Sequence, residues 1–379
     1  MTAQRSIAWS KVLSWFRRRT CGSGPDRGGR RRLLRRLGLT PLVGLLGLGR
    51  RSNAGETSAA AGAAPSAKLS DSADYRRLKN LDLDSPEARA KQALMPKGRI
   101  AGKELGRLVS GSNLISMNMH ARDLDYMTNL ARAYNTEERV FMTLKRCEEH
   151  GCDSIVLKDH NFKQFRLANY WKEFGGRMVW HADVITQDIN AYERRVEQHM
   201  EFNPWSLYLW GGAADIWYHQ GNRDYIIKAY EILRKYGLPV GIGAHRLGPI
   251  KFCEKEGLKP DYYIKTLHHD RYWSAHPREN RRYMEMYEPV SPRHEEYHDN
   301  MFCHDHEATV EFMQDVKVPW IAFKVLAAGA IPPEEGIQYA FDSGADFICL
   351  GMFDFQVEED AGLIRKCVEK VRNRKRPWA

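Results

Sequence analysis

The chain has no cysteines at metal-binding or redox spacing and no apolar run long enough to cross a bilayer. Its seven cysteines contain no CxxC motif, so neither a zinc ribbon nor a disulfide framework is predicted. Cys253 and Cys303 stay open as a disulfide pair if the protein is exported. The apolar stretch at residues 37–49 is shorter than the roughly 20 residues that a membrane helix needs.

Acidic residues are almost absent from residues 1–51, and this explains the basic character of the whole chain. That stretch holds thirteen Lys or Arg and one acid, whereas the remainder holds 45 basic and 47 acidic residues. The formal net charge of +10 therefore comes from the N-terminal stretch, and the rest is close to neutral. Nucleic-acid binding requires a basic surface, so it is not predicted.

The N-terminal stretch resembles a twin-arginine export signal. Residues 30–35 (RRRLLR) resemble the signal motif, the apolar stretch follows, and Ser52-Asn53-Ala54 offers small residues for cleavage. Residues 1–54 are therefore predicted to be a leader that touches the membrane transiently, with the mature protein periplasmic or extracytoplasmic. A basic tail or an uncleaved anchor is the alternative. Residues 55–97, which begin with an Ala, Gly, Ser and Pro-rich stretch, are predicted to be a linker.

From residue 98 onward, short apolar runs alternate with helical patterns. Residues 320–353 show the unit clearly, because two apolar runs flank a helix that starts after two prolines and ends near Gly344. Such runs are typical of parallel strands that are covered on both faces. Eight strands, each followed by a helix, predict an α/β (β/α)8 TIM barrel over residues 98–379, with a doubly wound open sheet as the alternative. The predicted strands are 108–115, 154–159, 177–184, 207–211, 240–245, 262–268, 320–331 and 347–353. The predicted helices are 137–150, 162–174, 189–202, 223–236, 248–256, 308–316, 332–343 and 360–372.

The connection after the sixth predicted strand is unusually long. Residues 269–307 are rich in His, Arg, Tyr and Glu, and a connection of this length is too long to be a simple turn. Its aromatic residues suit a lid over a polar, sugar-like ligand, and they suit packing over the barrel rim equally well.

Polar residues lie at the predicted carboxyl ends of the strands, where barrel enzymes place their active sites. His245 follows a run of small residues, and Lys324 interrupts an apolar strand. A desolvated lysine suits proton transfer, stabilisation of an oxyanion or a Schiff base, and a salt bridge is the structural alternative. The predicted catalytic set is Asp159, His181, His245, His268 and Lys324. In a second interpretation, a divalent metal ion is bound by His181, Asp183, His245 and His268.

Both ends of the predicted barrel resemble the aldo/keto reductases. Residues 103–111 (KELGRLVSG) resemble the opening strand of that family and residues 323–330 (FKVLAAGA) its seventh strand. Residues 344–360 resemble its last strand and the helix start beside the cofactor phosphate. The resemblance implies an oxidoreductase that binds NADP or NAD. The residues that it places near the cofactor are Gly329, Gly351, Met352 and Gln356.

The catalytic tyrosine, lysine, aspartate and histidine of that family are missing from the corresponding positions. The second strand has Val156–Lys158 where the aspartate is expected, and the loop that follows has no tyrosine in place. The third strand has Trp180-His181 and the fourth Leu209-Trp210 in place of lysine and histidine. A proton donor would have to lie elsewhere, with His181 or Lys324 as candidates.

The sequence therefore predicts an exported oxidoreductase that acts on a carbonyl-containing or sugar-type small molecule with a nicotinamide cofactor. The alternative is a metal-dependent lyase, isomerase or hydrolase acting on a sugar derivative, and a barrel that binds without catalysis is a third hypothesis. The oligomeric state is left open.

Overall fold

A computed structural model describes residues 72–120, 125–158, 167–281, 302–372 and 374–379. The predicted leader, residues 1–54, lies outside these ranges, so the export signal stays a prediction. No helix within the described ranges is both long and apolar enough to span a bilayer. Each of the six cysteines described is a free thiol, so Cys253 and Cys303 do not form the disulfide that was left open.

Two short helices and a hairpin precede the barrel. Helix α1 (Ala73–Asn80) and helix α2 (Pro86–Ala93) each begin after a serine whose side chain accepts a backbone N–H. Strands β1 (Lys97–Ile100) and β2 (Lys103–Gly106) pair antiparallel. The linker predicted for residues 55–97 therefore does not extend through this part of the chain: residues 73–93 are mostly helical, with Leu78 buried.

Eight parallel strands close into a barrel in chain order, with the last strand paired to the first. This confirms the predicted (β/α)8 fold and excludes the open sheet. The strands are β3 (Leu108–Gly111), β4 (Ser154–Lys158), β5 (Val179–Val184), β6 (Ser206–Leu209), β7 (Val240–Ala244), β8 (Tyr262–Thr266), β9 (Trp320–Phe323) and β10 (Phe347–Gly351).

Within the described residues, ten helices besides α1 and α2 lie between the barrel strands along the chain or after the last one. They are α3 (Asp125–Tyr134), α4 (Glu137–Glu149), α5 (Leu167–Phe174), α6 (Tyr192–Met200), α7 (Gly211–Gln220), α8 (Asp224–Arg234), α9 (Leu247–Lys255), α10 (His306–Met313), α11 (Pro333–Asp342) and α12 (Val357–Lys370). Helices α3 and α7 were not predicted. The first residue of α7, Gly211, runs so close to β7 that an added Cβ would lie 3.0 Å from the backbone nitrogen of Ala244.

The hairpin of β1 and β2 closes the amino end of the barrel. Ile100 and Leu105 are buried in one apolar cluster with Val109, Ile321 and Phe347, which come from three of the barrel strands. Ligands therefore have access to the interior from the carboxyl end of the strands, where barrel enzymes place their chemistry.

The C-terminal residues are fastened to the same amino end by Asp346, which precedes β10. Its buried carboxylate accepts a hydrogen bond from Arg374 at 2.6 Å, another from Arg376, and one from the backbone N–H of Trp320 at 2.9 Å. The Arg374 guanidinium also lies 3.8 Å from the ring centroid of Trp378. A buried carboxylate that accepts this many charge-assisted bonds holds the tail firmly in place.

Candidate active site

A cavity of about 430 Å³ opens at the carboxyl end of the barrel. Residues at or after the ends of five strands form its wall: 111–114 and 118–120 for β3, 210–211 for β6, His245 for β7, 324–326 and 328–329 for β9, and 351 with 356 for β10. Apolar side chains from within the barrel, including Val156, Ile264 and Phe323, form the deeper part. A mostly apolar cavity with a few converging polar groups is typical of a small-molecule site.

His245 lines the cavity and is held from behind by Asp215 of α7. The Asp215 carboxylate is fully buried and accepts the Nδ1–H of His245 at 2.9 Å. It also accepts the backbone N–H groups of His245 and Arg246, each at 3.0 Å. This bond to Nδ1 fixes the ring orientation and makes Nε2 the basic nitrogen.

The surroundings keep His245 neutral. Burial lowers its pKa, and the positive charges of Lys324 and Lys265 act in the same direction, whereas Asp215 opposes them. A neutral imidazole that is oriented by a carboxylate can accept a proton from a ligand at neutral pH. A general base requires a histidine held in this way, with one nitrogen bonded to a carboxylate and the other able to accept a proton.

Lys324 follows β9 and lies on the cavity wall in a left-handed backbone conformation, with φ of 57°. Its Nζ lies 2.8 Å from Nε2 of His120 and 3.8 Å from the ring centroid of Phe302. Ala327 and Ala328, next along the loop, also have positive φ angles of 45° and 56°. Three non-glycine residues with such angles in five positions is unusual, and strain of this kind concentrates at functional sites.

Asp183 and Tyr208 line the cavity from adjacent strands, β5 and β6. The Tyr208 hydroxyl is hydrogen-bonded to Asp183, and burial together with this carboxylate raises the pKa of Tyr208 well above its usual value. Tyr208 is therefore protonated at neutral pH. Because its one O–H is donated to Asp183, its oxygen can accept a hydrogen bond from a ligand.

The structure brings together only part of the predicted catalytic set. His245 and Lys324 both line the cavity, and Asp159 lies outside the described residues. His181 is fully buried below the cavity, where its Nδ1 lies 2.8 Å from the Ser206 hydroxyl. Burial lowers the pKa of His181 to about 3. It does not line the cavity, which argues against the predicted catalytic role.

His268 is a structural residue in this fold. Its Nδ1–H donates to the carbonyl of His269 at 2.8 Å, and its Nε2 accepts the backbone N–H groups of Phe302 and Cys303, both at 3.0 Å. Burial lowers the pKa of His268 to about 3. Both ring nitrogens are used to hold backbone groups, Nδ1 at the start of the long connection and Nε2 on the chain that returns from it, so the predicted catalytic role of His268 does not fit its position.

The predicted metal ligands do not meet at one point. Asp183 and His245 line the cavity, whereas His181 and His268 are engaged elsewhere. Across the ranges that the structure describes, no group of three or more His, Cys, Asp or Glu side chains is arranged to hold a metal ion. Of the residues predicted near a cofactor, Gly329, Gly351 and Gln356 line the cavity, whereas Met352 is buried and does not line it.

Sequence reasoning missed Asp215, His120 and Tyr208. Asp215 directly follows the Gly-Gly-Ala-Ala segment at the start of α7, which was not predicted to be helical, so its spatial pairing with His245 had no local signal. Tyr208 could have been found from alternation along β6, since it is the inward neighbour of Asp183 in the strand register. His120 lies in a loop with no pattern to mark it.

Comparisons with known proteins give a distant likeness in fold. No family model and no curated protein matches the chain. Two solved structures named provisionally as aldo-keto reductases from Pseudomonas aeruginosa have 12% and 13% identity and TM-scores of 0.47 and 0.46, each covering 72% of this chain and 94% of that chain. An (S)-mandelate dehydrogenase mutant has 10% identity and a TM-score of 0.43, covering 79% of this chain and 91% of that chain. These neighbours are oxidoreductases, and similarity this distant does not extend to substrate or cofactor.

Proposed function

We propose that the protein is an oxidoreductase that interconverts a hydroxyl and a carbonyl group on a small, sugar-like molecule held in the barrel cavity. The observation that carries this proposal is the pairing of Asp215 with His245 at the cavity wall. In the oxidising direction, Nε2 of His245 takes the hydroxyl proton. Lys324 supplies positive charge next to the oxygen as it becomes negative.

Substrate selection in this proposal comes from the polar groups around the cavity. Asn113, Asn118 and Gln356 lie on the wall, and the Asp183–Tyr208 pair lies deeper. Amide and phenol groups donate and accept hydrogen bonds to hydroxyl groups. Trp210 and Phe302 add aromatic surface on which the apolar face of a sugar ring can rest.

In this proposal, a nicotinamide cofactor lies along the wall formed after β9 and β10. Gly329 lines the cavity with φ of 89°, a conformation that only glycine adopts easily, and an added Cβ there would meet no atom within 4 Å. Lys324 is the cation at this wall. Acidic residues at 358–360 occupy the first turn of α12, so phosphate groups are expected beside Lys324 and Gly329 rather than at that helix start. When bound, the nicotinamide supplies or accepts the hydride.

Titration with the cofactor tests the proposal. Fluorescence and thermal unfolding of the full chain are followed with NADPH and NADH, and a panel of sugars is then tested with NADP and NAD. We expect saturable binding of at least one cofactor, and H245Q is expected to keep this binding while losing turnover by about 10²- to 10⁴-fold. Absence of any change at millimolar concentrations of both cofactors would overturn the nicotinamide assignment.

Proton transfer without a hydride is a second candidate function. It is favoured by the neutral His245 beside the Lys324 cation, since this pair can remove a proton next to a carbonyl and stabilise the enolate without any cofactor. Exchange of substrate protons for deuterium in heavy water, with no nicotinamide present, identifies this reaction. Incorporation that is lost in H245Q supports it, and absence of incorporation across the sugar panel excludes it.

Two further predictions stay proposals of the same kind. The metal-dependent lyase, isomerase or hydrolase is tested by elemental analysis of the purified protein. Less than about a tenth of an equivalent of any transition metal, together with activity that survives chelation, would exclude this hypothesis.

Export is tested by replacing the arginines at 30–32 with lysine and following the protein in cell fractions. Unchanged export would contradict the twin-arginine prediction.

A further inference from the structure

The loop after β9 presents the amine of Lys324 to the cavity in an unusual setting. The residue lies in the left-handed region, where non-glycine residues are uncommon, and it is half-buried. Its Nζ rests 3.8 Å from the centroid of the Phe302 ring. The amine is therefore brought to an apolar wall rather than extended into solvent, as surface lysines are.

A base lies directly beside this amine. His120 places Nε2 at 2.8 Å from Nζ of Lys324, and both residues line the cavity. The amine must lose a proton before it can act as a nucleophile, and an imidazole at hydrogen-bond distance can accept it. The contact with Phe302 favours the ammonium form, so the presence of His120 matters for any reaction at Nζ.

A neighbouring lysine shows that this setting is specific. Lys265 on β8 is also buried, but its Nζ donates to the carbonyl of Thr266 at 2.8 Å and to the Thr266 hydroxyl at 3.0 Å. It does not line the cavity. Lys265 thus has a structural role, whereas Lys324 has a cavity, an apolar wall and a base around its amine.

We propose that Lys324 forms a Schiff base with the carbonyl group of a short-chain aldehyde or ketone in this cavity. His120 accepts a proton from the ammonium, and the neutral amine attacks the carbonyl carbon, so that a C–N bond forms and the carbonyl π electrons move to oxygen. The oxygen takes up protons and leaves as water. The ammonium and carbonyl compound become one iminium and one water.

The iminium is an electron sink for bond cleavage next to the former carbonyl carbon. His245, which lines the same cavity as a neutral base, can then remove a proton from the adjacent carbon or from a hydroxyl group one carbon further away. Removal of the carbon-bound proton gives an enamine. Removal of the hydroxyl proton instead breaks the carbon–carbon bond in the retro-aldol direction. This activity goes beyond the oxidoreductase proposal. It uses the same cavity and the same His245 and Lys324, but Lys324 acts as a nucleophile rather than as a cation.

Borohydride trapping tests the proposal. The full chain is mixed with dihydroxyacetone, glyceraldehyde or pyruvate, then treated with sodium borohydride, and modified lysines are mapped by peptide mass spectrometry. We expect Lys324 to be labelled at least tenfold more than the exposed Lys103 and Lys255, with no label on Lys265. Labelling of Lys324 no greater than that of exposed lysines, with all three probes, would overturn the proposal.

Two variants separate chemistry from folding. K324R retains the positive charge but not the primary amine, and it is expected to remove the selective label. H120Q retains Lys324, and it is expected to slow trapping about tenfold while the thermal midpoint stays close to that of the native chain. Unchanged trapping in H120Q would contradict the role of His120. Because trapping needs no nicotinamide, its outcome is independent of the cofactor titration.

Discussion

Replacement of Asp215 with asparagine, D215N, tests the arrangement on which the proposed chemistry depends. The side chain is fully buried and accepts three hydrogen bonds, two at Oδ2 from His245 and one at Oδ1 from Arg246. An asparagine whose carbonyl oxygen takes the place of Oδ2 keeps two of them without charge. Its NH₂ group then faces the N–H of Arg246, so that two donors meet.

The expected loss of stability follows from these contacts. A hydrogen bond to a charged group contributes about 1.5–3 kcal/mol, and a buried donor without an acceptor costs about 1–3 kcal/mol. One bond is lost outright and two are weakened, so D215N should lower the free energy of unfolding by about 3 kcal/mol. The His245 ring also loses the carboxylate that fixes its tautomer, and a catalysed rate that uses this base should fall by about 10²-fold or more.

Urea unfolding followed by tryptophan fluorescence measures the first effect, and nitrogen-15 NMR of the imidazole measures the second. D261N is the matched control, because Asp261 also accepts a strand N–H, that of Val240 at 2.7 Å, but it is partly exposed. The control should lose less stability and leave the His245 tautomer unchanged. A loss below about 0.5 kcal/mol for D215N, the range of ordinary surface substitutions, would refute the reasoning.

Three further predictions concern stability. D346N leaves two buried guanidinium groups without their carboxylate and should cost about 3–5 kcal/mol in urea unfolding, and a loss below 1 kcal/mol would contradict the role of this residue. Burial raises the pKa of Asp360 to about 6 in the folded protein, whereas the unfolded chain releases this proton near pH 4. Stability is therefore lost as the pH rises from about 4 to about 6. D360N should therefore gain about 2 kcal/mol over the native chain at pH 8 and little at pH 4, and equal differences at both would refute this. Burial lowers the pKa values of His181, His268 and His304 to about 3, so stability is complete above pH 6.5 and falls by roughly 4 kcal/mol per pH unit below it. Thermal midpoints that stay constant from pH 7 to pH 5 would contradict this last prediction.

The barrel was predictable because its strands are apolar on both faces and are separated by helices with clear ends. The pattern placed β10 well, but it extended the seventh strand through residues 324–331, where the chain in fact leaves the sheet at Lys324. Apolar side chains such as Val325 and Ile331 are buried under this loop, so composition alone did not distinguish them from a strand. Nothing in an alanine reveals that it adopts a positive φ angle.

The polar side chains that line the candidate site were predictable only where a strand end marked them. His245 and Lys324 were found in this way, and His268 was included by the same rule although it serves the backbone of Phe302 and Cys303. That role depends on a segment more than thirty residues away in the chain. Asp215 was missed for the same physical reason, because its pairing with His245 is formed by the tertiary fold and leaves no trace in local sequence.

The hairpin at residues 97–106 has a practical consequence for producing the protein. A recombinant fragment that starts at the first barrel strand, residue 108, would omit Ile100 and Leu105. Phe347 and its neighbours would then face water at the amino end of the barrel. Exposed apolar surface of this kind promotes association between molecules, and such a fragment should be recovered mainly as insoluble material. We expect soluble material from a fragment that starts at or before residue 72, because both leading helices and the hairpin then remain attached.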